Sequence, residues 1–206
     1  RSLPEIPGYE FYAYVASAMT VGGDYYDFVP LSGGRVAVVI CDVAGKGVPA
    51  ALLVIRLSSE VRSCLLAVPD LAGAVSRLNE RMISGGIGDH FATLVVLVID
   101  PATHEVTAVN AGHPSPKWYR AGTGELVDVV PLRPTGMPIG VTTDDPFEPV
   151  VFRLQPGDRV FAFTDGINDV SDPSDVLFGP RAVARVLAAD HRGVREAGER
   201  LIAAVR

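Results

Sequence analysis

Apolar residues fall along this chain in short alternating or continuous runs, most of them closed by glycine or proline, and only a few stretches carry a helical period. Residues 9–16, aromatic and β-branched, read as a strand. Residues 25–31 and 35–41 flank Ser32-Gly33-Gly34 and predict a hairpin whose second strand is buried on both faces. After Gly45 and Gly47 the period becomes helical. Over residues 48–66 the polar positions Arg56, Ser59, Glu60 and Ser63 make one narrow stripe, which predicts a helix buried over most of its circumference. Asp70 is placed to cap a second helix with Leu71, Ala74, Val75, Leu78 and Met82 on one face. A second hairpin pairs residues 91–100 with 105–110 around Pro101-Ala102-Thr103-His104, and short strands follow at 116–120, 125–130, 150–154 and 158–164. Gln155-Pro156-Gly157-Asp158 has turn chemistry, Gly179-Pro180 opens a helix, and Val194, Ala197, Leu201 and Val205 mark the inner face of the last one. Helices grouped between hairpin-linked strands predict an α+β fold with antiparallel sheets, not a doubly wound parallel one. Neither a repeat nor a second-domain boundary interrupts the pattern.

Composition narrows the classes. At 206 residues, 48% hydrophobic and 20% charged, the chain can bury a core, which excludes a disordered reading. Eighteen basic against 24 acidic residues leave a formal charge of −6, so a basic nucleic-acid groove is not expected. No apolar run approaches the roughly 18 residues of a membrane span; residues 91–99 form the longest, and Thr93 interrupts it. Cys41 and Cys64 make neither a disulfide framework nor a zinc site, which fits a reducing cytoplasm. Arg1-Ser2-Leu3-Pro4 is no signal peptide and reads as the cut end of a longer chain.

Three carboxylates stand out by context. Asp24 follows Gly22-Gly23 at a strand entrance. Asp42 ends an apolar strand before a glycine-rich turn into a helix. Asp165 ends the apolar run 160–163 and is again followed by glycine. Carboxylates at the ends of buried strands suit a hard cation such as Mg²⁺ or Mn²⁺, and clustered carboxylates repel unless a cation or proton neutralises them. Each taken singly could instead cap its own turn.

The motif from Val21-Gly22-Gly23-Asp24-Tyr25-Tyr26-Asp27-Phe28 and the motif Asp42-Val43-Ala44-Gly45-Lys46-Gly47-Val48-Pro49-Ala50-Ala51-Leu52 together resemble the SpoIIE-like bacterial branch of the metal-dependent (PPM, type 2C) serine/threonine phosphatases. The similarity continues through Asn110-Ala111-Gly112-His113-Pro114, Gly136-Met137-Pro138-Ile139-Gly140 and Phe163-Thr164-Asp165-Gly166, covering nearly the whole chain in family order. The resemblance implies an αββα four-layer sandwich, two antiparallel sheets flanked by helices, with two divalent cations, Mn²⁺ or Mg²⁺, at one edge. It implies that Asp42 bridges the two, that the Val43 carbonyl ligates one, and that Asp24 and Asp165 hold one each. The nucleophile is then a metal-activated water, and no side chain of this protein forms a covalent intermediate. The implied substrate is a phosphoserine or phosphothreonine protein, a STAS-domain anti-anti-sigma factor, with an upstream sensor domain in the full-length chain. A homodimer is a further candidate assembly; neither nucleic acid nor a membrane is an expected contact of this domain. The rival reading is a pseudo-phosphatase module that binds a regulatory partner.

Departures from the family pattern matter too. Ile167-Asn168-Asp169 replaces the usual hydrophobic residue, Thr and Glu, and the family's final acidic pair has no counterpart before Arg206. The expectation is therefore a single phosphatase domain over 1–206, the output end of a longer chain lacking its last strand, with the Asp42/Asp165 site the weaker. Asp27 matches a family aspartate, yet strand alternation turns it away from Asp24, so it reads as supporting or structural. Lys46, Gly166 and Asp169 are candidates for the substrate rim, although a lysine in a turn is most simply solvated. Cys41 and Cys64 read as core, not as nucleophiles. His113 reads as a hydrogen-bonded structural imidazole in preference to a proton shuttle. Gly22-Gly23-Asp24-Tyr25-Tyr26 superficially matches the GGDEF signature of diguanylate cyclases, but Tyr25 stands where a second carboxylate is needed.

Overall fold

In a computed structural model describing residues 2–16, 22–45, 47–85, 90–130, 136–167, 170, 178–189 and 192–205, the apolar runs assemble into two antiparallel sheets. The larger has the order β1 (Asp24–Pro30), β2 (Val36–Val43), β3 (Ala92–Asp100), β4 (Glu105–Ala111) and β7 (Val150–Arg153). The smaller has β6 (Glu125–Asp128), β5 (Lys117–Arg120) and β8 (Arg159–Phe161). Four helices complete the described residues: α1 (Val48–Ala67), α2 (Leu71–Ser84), α3 (Gly179–Ala188) and α4 (Val194–Ala204).

Side-chain alternation sorts the core into layers. Odd-numbered β2 residues Ala37, Val39, Cys41 and Val43 face α1 and α2, together with Leu57, Val61, Leu78 and Met82. Even-numbered Val36, Val38 and Ile40 join Val95, Leu97, Val106 and Trp118 between the two sheets. Beyond the small sheet, Phe161 and Phe163 pack with Val183, Leu187 and Leu201 of α3 and α4. The order helix, sheet, sheet, helix is the expected αββα sandwich.

Local signals explain the boundaries. The β1–β2 hairpin turns through Ser32–Gly34. The Asp70 carboxylate accepts from the Gly73 amide at 2.6 Å and starts α2, whose five expected apolar positions are all buried. Asp158 closes the 155–158 turn and ties it to β5, accepting from the Gln155 amide at 3.0 Å and from Trp118 Nε1 at 3.0 Å.

Two expectations are corrected. Residues 9–16 form no strand. Their aromatic side chains are used in packing, Tyr9 and Phe11 against the inter-sheet core, while Glu10 accepts from the Val194 amide at 3.0 Å at the start of α4. Helix α1 is not buried over most of its circumference. One side meets β1, β2 and α2, while Val48, Leu52, Ile55 and Leu66 on the rest are 62–67% exposed. A helix laid on a sheet has only so many neighbours, whatever the polarity of its outer face. Among the described residues no helix is long and apolar enough to cross a membrane.

Candidate active site

The site grows out of the register of β1, β2 and β3. Asp24 lies directly opposite Asp42, and Asp42 directly opposite Thr93. In antiparallel strands such partners project to the same face, so these three side chains form a row across the sheet. Parity puts that row on the inter-sheet face, at the end where the apolar filling stops. Asp42 is thus within β2, and the strand runs one residue past it to Val43. From the small sheet, β8 ends at Phe161, earlier than the expected 164, and the chain enters a short turn, Asp165–Ile167, in which Asp165 and Gly166 are exposed. A cavity of about 380 Å³ lies between, lined by Asp42, Thr93, Gly112, His113, Pro114 and Asp165.

Glycine matters at one position in this row. A Cβ on Gly23 would sit 2.6 Å from the Val43 carbonyl oxygen and 3.3 Å from Asp42 Oδ1. Only hydrogen fits between the β1 entrance and the oxygens of Asp42 and Val43.

The carboxylates feel each other. Burial and the charges of Asp24 and Asp165 push the Asp42 carboxyl up from 3.8 to about 6. Burial and the Asp165 charge also raise Asp24, against the pull of a hydrogen bond from the Thr164 hydroxyl. Among the described residues, no three His, Cys, Asp or Glu side chains form a ready-made metal cage. The donor set nonetheless fits a hard divalent cation. It is all oxygen, its like charges need neutralising, and its openness leaves coordination positions to water.

The other wall is braced. The Asn110 side chain donates to the His113 carbonyl at 2.7 Å and accepts from the His113 amide at 2.8 Å, clamping the tight loop through Gly112. Thr93 Oγ1 lies 2.8 Å from His113 Nδ1. Burial holds the His113 imidazole down near 4, against a smaller upward pull from the Phe163 carbonyl, so the ring is neutral at pH 7.

Asp27 lies on the other face of β1, 1% exposed. Arg62 of α1 donates to it through Nε at 2.6 Å and a terminal nitrogen at 2.7 Å, Tyr25 through its hydroxyl at 2.9 Å, and the Phe28 amide at 2.9 Å. Arg62→Met strips a buried carboxylate of its cation and is expected to lower unfolding free energy by about 2–3 kcal/mol, discounted because Arg62 is itself half-exposed. Urea titration checks this, and Arg62→Met/Asp27→Asn should recover part of the loss. A single variant as stable as wild type would remove the pair from the list of fold determinants.

Lys46 and Asp169 lie outside the described residues. Cys41 and Cys64 are buried core thiols, and burial raises Cys41 well above its ordinary value. Three residues of this neighbourhood were not singled out from sequence for a role there: Thr93, Thr164 and Arg62. Thr93 left a signal, a lone hydroxyl interrupting the apolar run 91–99.

A sequence profile of the family described as Stage II sporulation protein E (SpoIIE) matches residues 32–206. The chain belongs to the SpoIIE family. It is a SpoIIE-like member of the PPM, or PP2C-type, serine phosphatases. It is 28% identical to protein IcfG of Synechocystis over 92% of its own length and 33% of that protein's. It is 27% identical to the phosphoserine phosphatase RsbP of Bacillus subtilis over 76% of its length and 39% of RsbP's. The chain thus spans well under half of either relative. Among solved structures, the RsbU and RsbW domains of Rv1364c from Mycobacterium tuberculosis superpose with a TM-score of 0.75 at 26% identity, covering 92% of this chain and 52% of that one. The SpoIIE-family fold, two antiparallel sheets between helices, is the one described above.

Proposed function

We propose that this chain is a divalent-cation-dependent protein phosphatase that hydrolyses phosphoserine or phosphothreonine. What supports this reading is one observation: at the open end of the inter-sheet cleft, burial and the charges of Asp24 and Asp165 raise the Asp42 carboxyl, and burial and the Asp165 charge raise Asp24. Asp24, Asp42 and the Val43 carbonyl would hold one cation, Asp42 and Asp165 the other. Mn²⁺ or Mg²⁺ bound there supplies Lewis acidity, lowering the pKa of water and neutralising phosphoryl charge. The chain's own part is positional. The β1–β2 register sets the spacing of Asp24 and Asp42, and Gly23 keeps the approach to both clear. A chain of formal charge −6 can receive a phosphorylated side chain only where its local field is reversed, and divalent cations held by these carboxylates would reverse it there.

The proposed substrate is a phosphorylated protein, of the STAS-domain anti-anti-sigma class. Similarity to the phosphoserine phosphatase RsbP supports a phosphoserine substrate. The chain is further proposed to act as the output domain of a longer protein, in the cytoplasm. Mn²⁺-dependent hydrolysis of para-nitrophenyl phosphate and of a phosphoserine-bearing STAS protein tests this. Turnover of both, lost on chelation and restored by Mn²⁺, is the expected result. No turnover of either, with Asp42→Asn unchanged from wild type, would favour the partner-binding module instead.

A further inference from the structure

We infer that Thr93 is a water-positioning residue: its hydroxyl, steadied by His113, holds the attacking water beside Asp42. Thr93 is the first residue of β3 to face the cleft. The positions that follow on the same face, Val95, Leu97 and Ile99, are apolar and fill the inter-sheet core. A valine would occupy nearly the same volume at 93, so packing alone does not call for the hydroxyl. Thr93 stands directly opposite Asp42 and lines the cavity with it. Opposed residues of antiparallel strands bring their Cβ atoms to about 4.5–5.5 Å, close enough for one water to touch both side chains.

The hydroxyl is held from behind. His113 Nδ1 lies 2.8 Å from Thr93 Oγ1, on a ring that is 4% exposed. The Asn110 amide grips the His113 backbone at both its N–H and its carbonyl, and a Cβ on Gly112 would fall 2.7 Å from Pro138 Cγ, so this loop has no slack. Among the described residues, His113 is the one side-chain partner of the Thr93 hydroxyl. A hydroxyl has one hydrogen and two lone pairs. The imidazole engages one of these three directions whichever tautomer it adopts, and the others stay available on a half-buried side chain that lines the cavity. Water suits either tautomer, because it both donates and accepts. A phosphoryl oxygen only accepts and would be served by one tautomer alone, so water is the occupant the geometry favours. Thr93 exchanges no proton in this role; it sets where the water oxygen sits. The inference rests on the reading of the site as a cation-dependent phosphatase centre for the use made of that water, while the water's place beside Thr93 is a property of the metal-free chain.

A crystal structure of the metal-free protein is the first test. An ordered water should lie about 3 Å from Thr93 Oγ1 on its Asp42 side, be missing in Thr93→Val and return in Thr93→Ser. Kinetics is the second. In Mn²⁺-dependent hydrolysis of para-nitrophenyl phosphate, Thr93→Val should lower kcat by about 10²-fold and leave KM within about threefold, because a misdirected nucleophile costs rate and not ground-state binding. Thr93→Ser should recover most of that loss. Calorimetric Mn²⁺ affinity should stay within about twofold of wild type in both variants, which separates a hydroxyl that holds water from a cation ligand or a structural prop. Three results would each overturn the inference: no ordered water at Thr93 in wild type, a Thr93→Val kcat within about threefold of wild type, or Mn²⁺ affinity lost in step with kcat. Should Thr93→Val not fold, Thr93→Ala takes its place, and the wild-type crystal decides in either case. Absence of hydrolysis in wild type, with the water in place, would overturn the functional reading and leave the water's position standing.

Discussion

Asp42→Asn is expected to lower kcat by about 10³ or more, and the same substitution should make the metal-free protein more stable at pH 7.5. The two effects have one origin. The carboxyl titrates near 6 in the folded chain, above its ordinary 3.8, because burial and the charges of Asp24 and Asp165 oppose its ionisation. A folded-state pKa raised above the unfolded one means stability that is fully present below about pH 4 and lost as pH rises through about 6. Wild type without metal is therefore strained above pH 6, and the amide escapes that strain. At pH 4 the two proteins should melt alike. Adding Mn²⁺ at pH 7.5 should raise the melting temperature of wild type and leave the variant nearly unmoved. Thermal melts at the two pH values, with and without Mn²⁺, check all of this. A variant that keeps a tenth of the turnover, or melts lower than wild type without metal at pH 7.5, would remove Asp42 from the centre of the site.

Gly23→Ala should be nearly as damaging by a purely steric route. The added methyl would lie 2.6 Å from the Val43 carbonyl oxygen, a backbone atom that cannot swing aside. The rung joining Asp24 to Asp42 must open, and a misplacement of about 1 Å among reacting groups costs roughly 10²-fold in rate. Overpacking of this kind also destabilises by about 1–3 kcal/mol. Gly122→Ala is the matched control, because a Cβ there meets nothing within 4 Å. Turnover of Gly23→Ala within twofold of the control would show that the strands tolerate spreading at this rung.

Legibility in the sequence followed the range of the forces involved. The β1–β2 hairpin and the α2 cap were readable because turn residues and an N-cap act within four positions of themselves. The alternation that separates Asp24 from Asp27 was equally local. Residues 9–16 misled because strand propensity reports a shape that packs on pleated surfaces, and Tyr9 and Phe11 do pack there without joining a sheet. The outer face of α1 misled because periodicity ranks faces by polarity but cannot say how many neighbours a helix will have. Arg62 finds Asp27 across 35 residues, and Thr93 finds His113 across 20, pairings that leave no local signal. The three carboxylates were visible singly, as acids beside glycines. The opposition of Asp24 and Asp42 across a rung emerged only with the register.

That register has a guardian on the far side of the sheet. Sliding β1 by one residue against β2 would turn every side chain to the opposite face. Asp24 would then point into the apolar layer beneath α1, and Asp27 would leave Arg62 for the inter-sheet layer of Val38, Ile40 and Val95, whose residues are apolar. Stranding a carboxylate in that way is among the costliest errors a small fold can make. The Asp27–Arg62 pair therefore works like the notch of a key. It admits one alignment of the hairpin, and in that alignment alone Asp24 and Asp42 come face to face.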